Sequence, residues 1–334
     1  MSTTSANASP SLSEFSLIDR FFARATRQGE HVTLGIGDDC ALLRAPAGEQ
    51  LAISSDMLVE GRHFFADVDP HSLGHKTLAV NLSDLAAMGA RPLGFTLALA
   101  LPESDPAWLG PFAQGLAEMA DRYACPLVGG DTTKGPRNLC VTVFGSVPGA
   151  QALRRDAARP GDDIWISGTL GDARLALGAL RGEWALAAPD LVLAKRAMDL
   201  PEPQVALGLA LRGVARAALD ISDGLIGDLG HILERSAMSA QINVDALPQS
   251  TLLAAQSPEI RRLCTLAGGD DYQLCFCADA SQRGRIEAIG NELGIRVTRI
   301  GTIAIPDARR TMLHLHDNTG ASVAADFKSF DHFQ

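Results

Sequence analysis

Residues 77–90 constrain the fold most, because they hold a single charged side chain, Asp84, among alanine, leucine, valine and methionine. This composition favours a helix, and Gly89 with Pro92 predicts its end. A helix that is apolar nearly all round is normally buried. Asn81 precedes Asp84 by three positions and shares its face. Because a buried carboxylate is unfavourable without a cation or hydrogen bonds, we expect Asp84 to be a capping or salt-bridged residue, or part of a larger site.

Aspartates with small neighbours recur at the ends of the predicted elements, where loops can bring functional groups together. Besides Asp84 they are Asp38, Asp39, Asp56, Asp131, Asp220, Asp223, Asp270 and Asp271. Carboxylate oxygens select Mg²⁺, Mn²⁺ or Ca²⁺, and Mg²⁺ typically takes one or two of them with phosphate oxygens and water. Each Gly-Asp or Ser-Asp pair alone is common in turns and helix caps. Together they favour a site for several metal ions and phosphate groups over a purely structural role.

Several common nucleotide-binding signatures are missing from the sequence. It contains neither the Gly-x-x-x-x-Gly-Lys-Ser/Thr pattern of a P-loop nor the Gly-x-Gly-x-x-Gly pattern of dinucleotide-binding folds, and it lacks the paired motifs of protein kinases. The net charge of −10 argues against a general nucleic-acid-binding surface. The carboxylates are therefore the main indication of chemistry.

The cysteines and the N-terminal segment indicate the compartment. The six cysteines form no Cys-x-x-Cys pair, and Cys275 and Cys277 alternate in an apolar run, which predicts buried thiols on one face of a strand. Residues 1–13 lack the features of a signal peptide and predict a disordered lead-in. No apolar run reaches membrane-spanning length. We therefore expect a cytoplasmic protein without a membrane partner.

The chain of 334 residues is long enough for two domains, and strands alternate with helices in both halves. The arginine-rich segment 148–163 predicts the junction. We expect an N-terminal domain over residues 14–148 and a C-terminal domain over residues 149–334, both of mixed α/β class. Strands are predicted at 51–56, 93–101 and 139–147, from 164 and after 270. Helices are predicted at 14–26, 105–123, 174–180 and 205–212. A short strand that opens into a loop is predicted at 126–135, and a strand, a turn and a helix are predicted at 217–231.

Taken in chain order, the acidic segments resemble the motifs of the thiamine-monophosphate kinase family. The matching segments are Phe15-Ser-Leu-Ile, Leu34-Gly-Ile-Gly-Asp-Asp-Cys-Ala, Ala79-Val-Asn-Leu-Ser-Asp-Leu-Ala-Ala-Met-Gly-Ala, Gly129-Gly-Asp-Thr-Thr, Asp220-Ile-Ser-Asp-Gly-Leu, Gly268-Gly-Asp-Asp-Tyr and Phe330-Asp-His-Phe. The resemblance implies ATP-dependent phosphorylation of thiamine monophosphate to thiamine diphosphate, assisted by several Mg²⁺ ions. It also implies a two-domain aminoimidazole ribonucleotide synthetase-like fold, whose N-terminal mixed sheet forms a homodimer.

The same resemblance implies roles for individual residues. It implies Mg²⁺ ligands at Asp39, Ser54, Ser55, Asp56, Asp84, Asp131, Asp220 and Asp223. It implies ATP contacts at Gly130, Asp131, Arg155 and Ser222, and contacts with thiamine monophosphate at His63, Asp270 and Phe327. Asp270 and Phe327 depart from the family, which usually has glutamate and tryptophan there. Because the acceptor phosphate is largely ionised at neutral pH, we expect no dedicated catalytic base.

Other functions on the same fold match the sequence less well. A selenophosphate synthetase would need a reactive cysteine near the N-terminus, whereas the first cysteine is Cys40. A hydrogenase-maturation dehydratase would need a C-terminal cysteine, whereas this sequence ends in His332-Phe-Gln. The concentrated carboxylates disfavour a non-catalytic nucleotide-binding scaffold. For His63 and Arg155, packing and solvation are the alternatives to contacts with substrate and phosphate.

Overall fold

A computed structural model describes residues 14–22, 30–307 and 312–324. Strands and helices alternate along these ranges, which confirms the mixed α/β class. None of the helices in these ranges combines the length and apolar character that a membrane crossing requires. The predicted lead-in at residues 1–13 lies outside the described residues.

The elements up to residue 148 build a four-stranded sheet with helices. In chain order they are α1 (Glu14–Leu17, followed by a π-helical turn at Ile18–Phe22), β1 (Val32–Leu34), β2 (Leu42–Leu43), β3 (Glu49–Val59), α2 (Pro70–Ala87), β4 (Arg91–Leu101), α3 (Pro106–Arg122), β5 (Leu127–Lys134) and β6 (Asn138–Pro148). The strand order of the sheet is β3-β6-β4-β5, with β4 and β5 parallel. A separate pair, β1 and β2, is antiparallel.

The prediction of a loop within residues 126–135 is wrong, because β5 continues through Lys134 beside β4. Gly130 allows the two strands to approach closely, since an added Cβ atom would lie 1.9 Å from the carbonyl oxygen of Leu97. Two glycines beside an aspartate resembled a turn, but pairing with β4 keeps the segment extended.

The later elements build a six-stranded sheet covered by helices. They are β7 (Asp163–Ser167), α4 (Asp172–Leu180), α5 (Ala188–Asp199), α6 (Val205–Ala210), β8 (Ala217–Asp220), α7 (Leu225–Ser236), β9 (Ser239–Asn243), α8 (Thr251–Ala254), α9 (Pro258–Ala267), β10 (Leu274–Ala278), α10 (Arg283–Leu293), β11 (Val297–Ala304) and β12 (Leu313–His316). The strand order is β12-β9-β11-β7-β10-β8, and all pairs except the parallel β12 and β9 are antiparallel. Cys275 and Cys277 are buried free thiols on β10, as predicted.

The chain forms two compact units that are each discontinuous in sequence. The first contains the described parts of Met1–Arg44, Ser55–Leu78 and Leu93–Thr142, and the second contains those of Ala45–Ser54, Ala79–Pro92 and Val143–Gln334. The chain passes from one unit to the other within β3, α2, β4 and β6. The boundary proposed between residues 148 and 149 stays a prediction.

Helix α2 is buried along most of its length, as its apolar sequence predicts. Leu78, Ala79 and Leu82 are fully buried. Its C-terminal part lies in the second unit and meets α6 at Gly208, where an added Cβ atom would lie 2.1 Å from the carbonyl oxygen of Ala86. This contact of main chain with main chain fixes the part of α2 that carries Asp84.

We predict that Gly208→Ala lowers the free energy of unfolding by about 1–3 kcal/mol, because the new methyl group overlaps the main chain of α2. In an open helical position the same change would be favourable by about 1 kcal/mol. Gly230→Ala in α7 is the matched control, since no atom lies within 4 Å of the added Cβ atom. Urea unfolding of both variants measures the difference. Equal stability of Gly208→Ala and the unmodified protein would contradict the close contact.

Candidate active site

Asp84 lies in the last turn of α2 and within the second unit. The negative end of the helix dipole is unfavourable for a carboxylate, so capping does not explain this residue. The Oγ atom of Ser54 donates a 2.5 Å hydrogen bond to Oδ2 of Asp84. Burial raises the pKa of Asp84, while the Ser54 hydrogen bond and the Arg155 charge lower it. Three predicted site residues, Ser54, Asp84 and Arg155, therefore interact at the Asp84 carboxylate.

A second carboxylate, Asp220, is the last residue of β8 and is only 6% exposed. Burial first, and then the charge of Asp84, raise the pKa of Asp220 to about 7. Two nearby buried carboxylates repel each other when both are ionised. A cation between or beside them would remove that penalty, so the Asp84–Asp220 pair fits a divalent metal ion.

The turn after β8 contains Ser222 and Asp223 and is organised by Asp228. The Oδ2 atom of Asp228 accepts hydrogen bonds from the main-chain N–H groups of Ser222, Asp223 and Gly224 at 3.0, 3.0 and 3.1 Å. Burial raises the pKa of Asp228 to about 7, although these hydrogen bonds lower it. No sequence pattern singles out Asp228, because an acidic residue in the first turn of a helix is common.

The segment before β10 lies directly against the same turn. The N–H group of Asp270 donates to the carbonyl oxygen of Ser222, and that of Tyr272 donates to the carbonyl oxygen of Ile221, both at 2.8 Å. The hydroxyl group of Tyr272 donates to Oδ1 of Asp270 at 2.9 Å. Two motifs that are separated by about fifty residues in the sequence therefore meet through main-chain hydrogen bonds.

A cavity of about 160 Å³ lies within the second unit beside Asp270. Four acidic residues line it, Asp172, Glu202, Asp270 and Asp271, and Ala197, Leu200 and Pro201 supply an apolar part of its wall. Burial raises the pKa values of Asp172 and Asp271. The arrangement suits an organic cation that also has an apolar surface.

Strand β3 presents its predicted ligands in two directions. Ser54 and Asp56 alternate with Ser55, so their side chains point to the opposite face. The Oγ atom of Ser55 donates to the carbonyl oxygen of Val141 at 3.1 Å and lies 3.0 Å from the hydroxyl oxygen of Thr142. The Ser55 hydroxyl therefore bonds to the neighbouring strand, and its role as a ligand stays a prediction.

Other predicted residues of the first unit occupy three separate positions. Asp39 is exposed in the loop after β1, and Asp131 is exposed on β5 next to Gly130. The Nδ1 atom of His63 accepts a 3.0 Å hydrogen bond from the N–H group of Val59. The neutral ring therefore carries its proton on Nε2.

The structure brings one subset of the predicted residues together within the second unit. Contacts or charge coupling link Ser54, Asp84, Arg155, Asp220, Ser222, Asp223 and Asp270, partly through Asp228. In the ranges that the structure describes, no three His, Cys, Asp or Glu side chains form a ready-made metal site. Mg²⁺ needs only one or two carboxylates when phosphate oxygens and water complete its shell, so the pair remains a suitable donor set. Phe327 lies outside the described residues.

Comparison with known proteins identifies the family of this chain. Residues 37–147 match the family described as AIR synthase related protein, N-terminal domain. The chain is 45% identical to the thiamine-monophosphate kinase of Escherichia coli strain K12 over 323 residues, which is 96% of this chain and 98% of its relative.

Two solved structures have the same fold. The crystal structure of thiamine-monophosphate kinase from Stenotrophomonas maltophilia K279a has a TM-score of 0.83 and 46% identity, and the match covers 92% of this chain and 97% of that chain. The structure of AaThiL complexed with AMPPCP and TMP has a TM-score of 0.74 and 29% identity, with coverage of 96% and 97%. The fold implied by the sequence motifs is thereby confirmed, and the chain belongs to the thiamine-monophosphate kinase family.

Proposed function

We propose that this chain transfers the γ-phosphoryl group of ATP to thiamine monophosphate and so forms thiamine diphosphate. The observation that carries the proposal is the buried Asp84–Asp220 pair, within a chain that matches thiamine-monophosphate kinases over nearly its whole length. AaThiL, a relative similar over 96% of this chain, was solved with AMPPCP and TMP. These ligands correspond to the phosphoryl donor and acceptor of the proposed reaction.

Several Mg²⁺ ions are the proposed cofactor. Their proposed ligands are Asp39, Ser54, Ser55, Asp56, Asp84, Asp131, Asp220 and Asp223. The burial of Asp220 beside Asp84 supports a cation at that pair, because burial and the Asp84 charge both disfavour the ionised form of Asp220. When bound, Mg²⁺ would screen the repulsion between the donor and acceptor phosphates and stabilise the charge of the transferred group.

In the proposed mechanism, the protein binds and orients the reactants and moves no proton. The phosphate of thiamine monophosphate is already an anionic nucleophile at neutral pH, so direct in-line transfer needs no base. Gly130, Asp131, Arg155 and Ser222 are the proposed contacts with ATP. The Ser54 hydrogen bond and the Arg155 charge favour the ionised form of Asp84, which is the form that can bind a cation.

The proposed contacts with thiamine monophosphate are His63, Asp270 and Phe327. Asp270 lines the acidic cavity, and its carboxylate beside the apolar part of the wall suits the positively charged thiazolium ring. The Tyr272 hydroxyl donates a hydrogen bond to Oδ1 of Asp270, which fixes the orientation of this carboxylate. The proton on Nε2 of His63 would donate to a substrate oxygen.

We also propose that the chain is a cytoplasmic homodimer that associates through the four-stranded sheet. Strand β3 lies at one edge of this sheet, and its eleven residues have no further strand beside them in the described part of the chain. Leu51, Ile53 and Met57 are 51%, 61% and 51% exposed along one face. A long apolar edge strand favours association, and a second copy of the same surface would cover it.

We predict that Asp84→Asn lowers kcat/KM by about 100-fold or more and raises the Mg²⁺ requirement, because the variant lacks one charge of the proposed metal site. The assay combines protein, Mg²⁺, ATP and thiamine monophosphate and measures thiamine diphosphate. Asp69→Asn is the matched control, since Asp69 accepts hydrogen bonds from the N–H and hydroxyl groups of Ser72 at the other end of α2 and asparagine can replace it.

Unchanged activity of Asp84→Asn would contradict its proposed role. Absence of thiamine diphosphate with the unmodified protein would contradict the proposed function itself. A covalent phosphoprotein on the productive pathway would instead exclude direct transfer.

We predict that Ile53→Lys converts a dimer into a monomer, because it places a charge at the centre of the exposed face of β3. Leu193→Lys on α5 is the matched control, since both side chains are 61% exposed. Light scattering coupled to size-exclusion chromatography measures the mass of each variant. An unmodified protein that is monomeric, or an Ile53→Lys variant that remains dimeric, would exclude this interface.

A further inference from the structure

Asp228 is a buried acid that the proposed reaction does not use directly. It is 6% exposed, and its Oδ2 atom accepts three of the four N–H groups of the turn between β8 and α7, those of residues 222–224. Three successive N–H groups that converge on one point form the kind of concavity that commonly holds a phosphate or another anion. Here the anion is a side chain of the protein itself.

Hydrogen bonds hold the same turn from its other side. The carbonyl oxygens of Ile221 and Ser222 accept the N–H groups of Tyr272 and Asp270, and the N–H group of Ile221 donates to the carbonyl oxygen of Gln273 at 2.8 Å. Gly224 completes the turn with a φ angle of +117°, which favours glycine. Hydrogen bonds to the Asp228 carboxylate and to residues 270–273 therefore hold residues 221–224 in place together.

These hydrogen bonds determine which groups of residues 221–224 can contact a ligand. The N–H groups of Ser222 and Asp223 already donate to Asp228, so these residues would contact nucleotide or metal through their side chains and not through their N–H groups. Both side chains are half-buried. Their directions follow from the main-chain angles of the turn, and the Asp228 hydrogen bonds help to fix those angles.

We propose that Asp228 is a positioning residue that aims Ser222 and Asp223 at the metal-bound nucleotide. The inference rests on the proposed function, which gives Ser222 a contact with ATP and Asp223 a contact with Mg²⁺. Asp228 itself touches neither ligand. Its effect is transmitted through the three N–H groups.

Asp228→Asn tests this role with little change in shape. The amide oxygen can replace Oδ2 as an acceptor, but it lacks the negative charge, so the three hydrogen bonds weaken. We expect the Mg²⁺ concentration for half-maximal rate and the KM for ATP to rise by about 10–100-fold, as for other residues that orient metal ligands. The kcat at saturating Mg²⁺ and ATP should fall less than the KM rises, because saturation restores occupancy.

Asp162→Asn is the matched control for stability. Asp162 is also a buried acid, it accepts the N–H group of Arg159 at 2.8 Å, and it pairs with Arg216. It precedes Asp163, which pairs with Ala278 at one end of β10. Asp220 pairs with Leu274 at the other end of β10. Asp162→Asn should lower the melting temperature without raising either kinetic constant.

Two further measurements separate this inference from the proposed function. Hydrogen exchange at the amides of residues 222–224 should be faster in Asp228→Asn than in the unmodified protein, and calorimetry should show weaker binding of Mg-ATP. Both readouts apply even if the unmodified protein makes no thiamine diphosphate, a result that would contradict only the proposed function.

Unchanged exchange, binding and kinetic constants in Asp228→Asn would overturn the positioning role. The same is true if Asp162→Asn raises the KM for ATP as much as Asp228→Asn does. If Asp228→Asn yields too little folded protein, Asp228→Glu provides the test. It keeps the charge but displaces the acceptor oxygen, and it should raise the same two constants.

Discussion

Repulsion between the carboxylates of Asp84 and Asp220 is the physical constraint on which the candidate site depends. Burial and the Asp84 charge raise the pKa of Asp220 to about 7, so the ionised pair is unfavourable when no cation is present. The fold nevertheless holds Asp84 in place through the Ser54 hydrogen bond and the close contact of α2 with Gly208. A fixed and poorly compensated pair of acids is typical of a site that is completed by its ligands.

The surroundings of the pair show how main-chain hydrogen bonds connect distant motifs. Asp220 ends β8, and the following turn is held between Asp228 and the segment that contains Asp270. Asp270 also lines the acidic cavity. One continuous set of contacts therefore links the proposed metal pair, the proposed nucleotide contact at Ser222 and the proposed site of the thiazolium ring.

The sequence predicts features that depend on local pattern and on side-chain type. The apolar composition of residues 77–90 is enough to predict the buried helix, and the strand, turn and helix at 217–231 follow from hydrophobic pattern and turn residues. Features that depend on tertiary contacts were missed. Gly129 and Gly130 resemble a loop but continue β5 because β4 lies beside them. Helix α5 was missed because exposed Val192 and Leu193 obscure its periodicity.

The candidate site also combines features that can be predicted from the sequence with features that only the structure shows. Resemblance to a family supplies the residues, whereas the structure supplies their surroundings: the Ser54 hydrogen bond, the opposite directions of Ser54 and Ser55, and the main-chain hydrogen bonds that Asp228 accepts. Asp228 could not be recognised from the sequence, because a carboxylate in the first turn of a helix is ordinary there. Its partners are three N–H groups that no sequence pattern identifies.

The Mg²⁺ dependence of the free energy of unfolding, compared between the unmodified protein and Asp220→Asn, tests whether a cation completes the Asp84–Asp220 pair. The raised pKa of Asp220 means that its ionisation destabilises the metal-free fold progressively as the pH rises from about 4 towards 7. At pH 8 without metal, Asp220→Asn should therefore be the more stable protein. Saturating Mg²⁺ should stabilise the unmodified protein, by about 2.7 kcal/mol at one hundred times the dissociation constant, and stabilise the variant much less. Equal stabilisation of both proteins by Mg²⁺, or a metal-free variant that is the less stable, would exclude a metal site at this pair.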